Sequence, residues 1–278
     1  MNERLLKVNG IDLCTEGFGD PKDPAILLIM GATASMIWWE DDFCRRLAGR
    51  GRFVIRYDNR DTGRSMTYAA GQPEYTFDDM ADDAIHILDE YGIEKAHVVG
   101  MSMGGMLTQM VALRHPKRVL SVTLLATSNF APELPPSEEK VDRFFENAGE
   151  VDWTNEASIV EFTTAKWRVL RGSKHSFDKD KIALLAKKEF RRSAHPASMM
   201  NHALVSGGET DLVRTNEIDV PALIVHGTED PIIPYEHGVH LAAVIPDAKL
   251  LTLHGTGHEL HADDWDTIIQ AIEAHTAS

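Results

Sequence analysis

The sequence predicts an α/β fold: a doubly wound, mostly parallel sheet that carries an inserted helical cap. Three observations predict it. Short apolar runs alternate with helical stretches up to about residue 128, the rhythm of strands joined by crossover helices. The rhythm stops between Asn129 and Asp219, where no clean strand is seen. It then resumes to the end of the chain. The expected domains are a core of residues 1–128 and 220–278 and a cap of residues 129–219.

Leu5–Val8 and Ile11–Thr15 read as a hairpin turning at Asn9-Gly10, a pair that accepts the positive φ of a tight turn. Ala25–Met30 is apolar throughout, as a strand covered on both faces requires. Trp38 to Arg50 reads as a helix closing at Gly51, and Phe53–Tyr57 as the next strand. Thr76 to Tyr91 is a helix with Thr76 as cap, Asp79 at the reciprocal position and Gly92 as stop. Ala96–Val99 is a strand, Met103–His115 a helix stopped by Pro116, and Val119–Ala126 a strand. The central block holds Pro132, Pro135 and Pro136, then charged helical stretches with Trp153, Phe162, Trp167 and Phe190 between them. Beyond it come a strand at Ala222–His226, a helix at Pro234–Val244, a strand at Lys249–Leu253 and a helix at Ala262–His275. An insertion above the strand ends of such a sheet is expected to cover the site.

Composition narrows the function classes. The 278 residues, 43% hydrophobic and 26% charged, suffice for a large core without disulfide staples. The net charge of −15 argues against nucleic acid or an anionic membrane as partner, because both would repel the chain. Two cysteines, Cys14 and Cys44, make no disulfide framework and fit a reduced, cytoplasmic setting. Met1 to Gly10 holds no apolar h-region of a signal peptide, and Ala25–Met30 is far too short to span a bilayer. A cytoplasmic protein, monomer or homodimer, is expected.

The chemistry-bearing motif is Gly100-Met101-Ser102-Met103-Gly104, which follows the strand Ala96–Val99 and opens a helix. That strand–turn–helix context is what G-x-S-x-G needs. The chain reverses within a few residues, exposing the Ser102 hydroxyl, and glycines two positions either side let strand and helix converge. The helix also aims its free N–H groups at charge developing near the serine.

A serine hydroxyl is a weak nucleophile and needs an imidazole as base and a carboxylate to orient it. In sites of this kind the chain order is serine, acid, histidine. Asp230 stands past the strand Ala222–His226, before Pro231, which restricts it to an extended backbone; Glu229 is its rival. His258 follows the strand Lys249–Leu253, behind Gly255 and Gly257; His254 and His261 are its rivals. The expected catalytic residues are Ser102, Asp230 and His258. The expected oxyanion donors are the backbone N–H groups of Met103 and Ala32, with Gly31 allowing close approach. Trp38, Phe130, Trp167 and Met199 are candidate pocket residues. The polar run Tyr57–Ser65 reads as a hydrogen-bond network beside the turn, with an anion site as its rival. His254 and His258 stand four apart, but the glycines between them disfavour the helix of a zinc motif, so no metal and no cofactor are expected.

Taken together these residues resemble the α/β-hydrolase family over nearly the whole chain. Within it they are similar to the group of aclacinomycin methylesterase and related carboxylesterases. The likeness rests on Phe18–Pro21, Leu27–Gly31, Ile55–Ser65, Ala96–Gly104 and His237–Ala242. Met30-Gly31 and Arg60-Asp61 depart from the wider family's His-Gly and Arg-Gly, in the manner of that group. The resemblance implies carboxylic ester hydrolysis through an acyl-enzyme, methyl esters of bulky aromatic or polyketide-like molecules included. It leaves the particular substrate open. The rivals on the same machinery are a lactonase, a C–C hydrolase and a cofactor-free perhydrolase. Outside it stand a ligand receptor that keeps the fold and a purely structural partner. Serine at position 102, where dehalogenase and epoxide hydrolase relatives carry aspartate, disfavours those chemistries.

Overall fold

A computed structural model describes residues 3–277; Met1, Asn2 and Ser278, included in the expected core segments and in the signal-peptide reading, lie outside it. Eight strands form one sheet in the order β1-β2-β4-β3-β5-β6-β7-β8. They are β1 (Arg4–Val8), β2 (Ile11–Phe18), β3 (Ala25–Ile29), β4 (Phe53–Tyr57), β5 (Ala96–Met101), β6 (Val119–Leu125), β7 (Ala222–Gly227) and β8 (Lys249–Leu253). From β3 to β8 all pairings are parallel. The β1–β2 hairpin turns at Asn9-Gly10, both at positive φ, and joins through β2 antiparallel to β4.

The helices are α1 (Asp41–Ala48), α2 (Phe77–Glu90), α3 (Met103–Arg114), α4 (Glu139–Glu146), α5 (Glu156–Leu170), α6 (Lys179–Arg192), α7 (Glu209–Leu212), α8 (Tyr235–Val244) and α9 (Trp265–His275). They cover both faces of the sheet, and the period of two along each strand shows it. Leu27, Ile29 and Ile55 share a buried cluster with Met80 and Ile87 of α2, Leu107 of α3 and Leu241 of α8. Ile26, Leu28 and Val54 share the other with Phe43 and Leu47 of α1 and Ile269 of α9. Each such side chain contributes about 1.5–3 kcal/mol on burial.

Two expected helices are shorter than their apolar pattern. Trp38–Arg50 is a single 3₁₀ turn, Met36–Trp38, followed by α1. The break falls at Trp39, with ψ of 83°, where the carbonyl leaves the helical ladder and accepts from the Arg56 guanidinium and the Cys44 thiol. Ala262–His275 likewise opens with a 3₁₀ turn, Ala262–Asp264, before α9. The capping box of α2 is present in full: Asp79 N donates to Thr76 Oγ1, and Thr76 N donates to the Asp79 carboxylate.

Among the described residues between β6 and β7 there is no strand, only α4 to α7 and 3₁₀ turns. This segment docks on the loops that leave the carboxyl ends of β3 and β4. Glu189 of α6 accepts from Ser35 N at 2.7 Å and from Trp38 Nε1 at 2.9 Å. Arg192 reaches the fully buried Asp58 at 2.9 Å.

Candidate active site

Ser102 occupies the turn between β5 and α3 with φ of 56° and ψ of −124°. A non-glycine residue at positive φ stores on the order of 1–3 kcal/mol of strain and needs neighbours that hold it. Here Ser102 N donates to Leu125 O at 2.9 Å, and Thr127 Oγ1 donates to Ser102 O at 2.7 Å. The glycines are required by contact. A Cβ on Gly100 would lie 2.0 Å from Gly104 O, and one on Gly104 would lie 2.1 Å from Ile29 O. Met103 is the first residue of α3, so its N–H has no carbonyl one turn back in the helix.

The loop after β3 lies against this turn. A Cβ on Gly31 would lie 3.0 Å from Ser102 Cβ. The loop is held from below, where Asn59 Nδ2 donates to Met30 O at 3.0 Å, and from above by His202, which accepts from Thr33 N on Nδ1 at 3.0 Å. Because Nδ1 is an acceptor, the proton is on Nε2, which donates to Arg60 O at 2.7 Å. Burial pushes the pKa of His202 down, in keeping with this neutral form.

Asp230 and His258 meet beyond the ends of β7 and β8. His258 Nδ1 lies 2.7 Å from Asp230 Oδ2, and both residues are buried. Asp230 Oδ1 accepts from Ile232 N at 3.0 Å and Ile233 N at 2.9 Å, which fixes the carboxylate. With Oδ2 of Asp230 as acceptor, His258 carries its proton on Nδ1, and in the neutral ring Nε2 keeps its lone pair. The loop carrying His258 presses on the end of α5: His258 N donates to Leu170 O at 2.8 Å, and a Cβ on Gly257 would lie 2.3 Å from Gly172 N. The rivals point elsewhere. Glu229 is exposed and accepts from Ser173, His254 is exposed, and His261 stacks on His175.

Ser102 and His258 line one cavity of about 270 Å³, together with Ala32, Trp167, Leu170 and Ile232. The four candidate pocket residues separate. Trp167 lines this cavity and packs tilted against Trp38, ring centroids 4.8 Å apart; Trp38 faces a smaller adjoining space of about 80 Å³. Phe130, 57% exposed, lines a wider groove that also reaches Ala32, Ser102 and Met103. Met199 is buried and lines none of these three spaces; its neighbour Met200 lines the first. The 3₁₀ turn Pro196–Ala203 sets which of the two methionines faces inward, and no sequence period reveals it.

Lys166 was not foreseen. It lines the same cavity, 5% exposed, with Nζ 3.3 Å from Thr33 Oγ1. Its signal was in the sequence: Ile159, Thr163, Lys166 and Leu170 form the buried stripe of α5 at helical spacing. The run Tyr57–Ser65 is a buried network. Asp61 accepts from Tyr68 N, Tyr75 Oη and Asn201 Nδ2, and Arg60 pairs with Asp83 at 2.7 and 2.8 Å. One group of described residues comes within metal-ligand reach, His175, His261 and Asp263. Its two imidazoles stack at 4.0 Å with 6° between planes, so their in-plane lone pairs run side by side rather than converge on one ion.

The model of the alpha/beta hydrolase fold family matches residues 24–264. The chain belongs to that family. As a member of the α/β-hydrolase family it is similar to two curated methylesterases. Rhodomycin D methylesterase of Streptomyces sp. (strain C5) is 32% identical, over 99% of this chain and 98% of the relative. The rhodomycin D methylesterase of Streptomyces peucetius is 31% identical over the same shares. Among solved structures, the enol-lactonase from Burkholderia xenovorans LB400 has a TM-score of 0.78 at 21% identity, over 99% of this chain and all of that one. The esterase RhEst1 from Rhodococcus sp. ECU1013 has a TM-score of 0.80 at 20% identity, over all of this chain and 99% of that one. These two likenesses concern the fold. No helix of the described residues is long and apolar enough to cross a membrane.

Proposed function

We propose that this α/β-hydrolase cleaves carboxylic esters through an acyl-enzyme, with Ser102 as nucleophile, His258 as base and Asp230 as its orienting acid. The observation that carries the reading is the His258–Asp230 pair at 2.7 Å, opening on the cavity that Ser102 also lines. Ser102 Oγ attacks the ester carbonyl carbon while His258 Nε2 takes the hydroxyl proton. The carbonyl oxygen becomes an oxyanion that the N–H groups of Ala32 and Met103 receive. The C–O bond to the leaving group then breaks as His258 returns its proton to the departing alkoxide. Water adds to the acyl-enzyme with His258 again taking a proton, and collapse releases the acid and restores the Ser102 hydroxyl.

Residues 129–219 act in this reading as a cap that closes the acyl pocket, with Trp167 on its wall and Phe130 at the mouth. The likeness to rhodomycin D methylesterases supports a methyl ester as the substrate, and the resemblance read from the sequence makes it one of a bulky aromatic or polyketide-like molecule. The test is labelling with a fluorophosphonate probe, followed by a panel of methyl, p-nitrophenyl and lactone substrates. Labelling at Ser102, with hydrolysis lost in Ser102→Ala and His258→Ala, is the expected result. A labelled serine elsewhere, or unchanged hydrolysis in Ser102→Ala, overturns the assignment. Faster opening of lactones than of any open ester would move the reading to a lactonase.

A further inference from the structure

Lys166 is an unusual wall for an apolar pocket. A lysine on a helix surface normally carries its ammonium out to water. This one is 5% exposed and belongs to the buried stripe of α5. An ammonium has three donors, and one is engaged, at 3.3 Å, on the Thr33 hydroxyl. The ammonium also lies 5.3 Å from the centroid of the Trp167 ring, a partial compensation for lost water. No carboxylate of the described residues comes within ion-pair distance of it. Glu189, the acid whose charge acts on it, already accepts from Ser35 N and Trp38 Nε1. Burial pushes the Lys166 pKa down, opposed by Glu189 alone. A buried charge without an ion pair is costly, and such groups cluster where a ligand completes them. Here the ammonium sits beside Thr33, one residue past the proposed oxyanion donor Ala32, on a cavity that also holds Ser102, His202 and His258 and whose apolar wall includes Met30, Phe145, Trp167, Leu170 and Ile232.

We propose that Lys166 determines substrate specificity by receiving an acidic oxygen, a carboxylate or a phenol, that the ester carries on an otherwise apolar body away from the bond being cleaved. The inference rests on the ester-hydrolase reading for its substrate, and extends it by naming the second polar feature the substrate bears. The apolar wall holds the body, the oxyanion donors take the ester oxygen, and Lys166 supplies a charge-assisted hydrogen bond to the second oxygen.

The experiment uses matched pairs. Monomethyl esters of α,ω-dicarboxylic acids of increasing length are compared with their dimethyl esters, and methyl hydroxybenzoates with methyl methoxybenzoates. The wild type is expected to prefer the acidic member of at least one pair. Lys166→Met, similar in length and uncharged, should lose about 10- to 100-fold in kcat/KM on that member, the value of a hydrogen bond to a charged group. The loss on the neutral partner should be smaller, so that the preference between the two members falls, and Lys166→Arg should retain part of that preference. The two pair types tell carboxylate from phenol. Equal losses on both members would make Lys166 a support for the oxyanion loop and overturn the proposal. So would a wild type that hydrolyses these esters with no preference in any pair, a result that does not depend on how Lys166→Met folds. Calorimetric titration of the same compounds into Ser102→Ala, with and without Lys166→Met, reads the acidic-oxygen contact without turnover. Binding preference there with no hydrolysis by the wild type would sink the esterase reading and leave this one standing.

Discussion

At the scale of single residues, the site depends on atoms that are absent as much as on those present. Gly104 has Ile29 O where a Cβ would go, at 2.1 Å, and the obstruction is backbone rather than a side-chain tip. Gly104→Ala must therefore push α3 away from β3 and displace Ser102. The expected outcome is a fall in melting temperature together with loss of hydrolysis, read by calorimetry and by probe labelling. Asp230→Asn tests the proposed orienting role of Asp230. Its amide keeps the size but favours the wrong tautomer of His258, so kcat should fall by about 10⁴ while the melting curve stays close to the wild type. The placement of Ser102, Asp230 and His258 at strand ends around one cavity was legible because each stands in a local pattern of glycines or proline next to a strand. His202 and Lys166 were not singled out. His202 supports the loop after β3 from 169 residues away, a relation that no local pattern holds.

At the scale of elements, strands and caps were the most legible parts. β4 and β8 coincide with their apolar runs, and the Thr76–Asp79 box starts α2 where expected. Thr76→Ala removes the hydroxyl that accepts from Asp79 N and should destabilise the protein by about 1 kcal/mol, lowering the melting temperature by roughly 2–4 °C. An unchanged melting curve would mean that α2 is held by tertiary packing alone. The stretch from Trp38 to Arg50 was misread because the Trp39 carbonyl is claimed by Arg56, a strand residue. An apolar period reports which side chains are buried; it does not report that a distant guanidinium has taken one carbonyl out of the helix. The loop of His258 teaches the same point: Gly257 is needed because Leu170 and Gly172, at the end of α5, occupy the neighbouring space.

At the scale of the whole molecule, buried polar links tie the strand loops together and to the segment between β6 and β7. Asp58, with no exposed surface, accepts from Met36 N, Arg64 N and Arg192. Arg192→Met leaves that carboxylate without its cation, a change that costs about 3–5 kcal/mol in comparable buried pairs. Urea unfolding should show that loss, and Arg192→Lys should recover part of it. Acid lability follows from the histidines. Burial, with the charges of Arg52 and His275 adding, pushes the pKa of His97 down to about 4; burial also lowers those of His202, His226 and His275. The unfolded chain takes up protons near the ordinary value of about 6.5, where the folded chain does not. Stability is therefore full above that pH and declines as the pH falls toward about 4. Urea midpoints at pH 7.5, 6 and 5 should fall in that order, and a constant midpoint would contradict it.

By itself the sequence determined the strands and the sharp turn at Ser102, because these depend on contacts within a few residues: alternation, capping, and glycine beside a reversal of the chain. It also carried enough likeness to indicate the family. Only the tertiary structure decided where Glu229, His254 and His261 point, which methionine faces the cavity, and that a lysine is enclosed in its wall. Those outcomes are set by side chains far apart in the chain that compete for the same space and the same hydrogen bonds once the helices close over the strand ends.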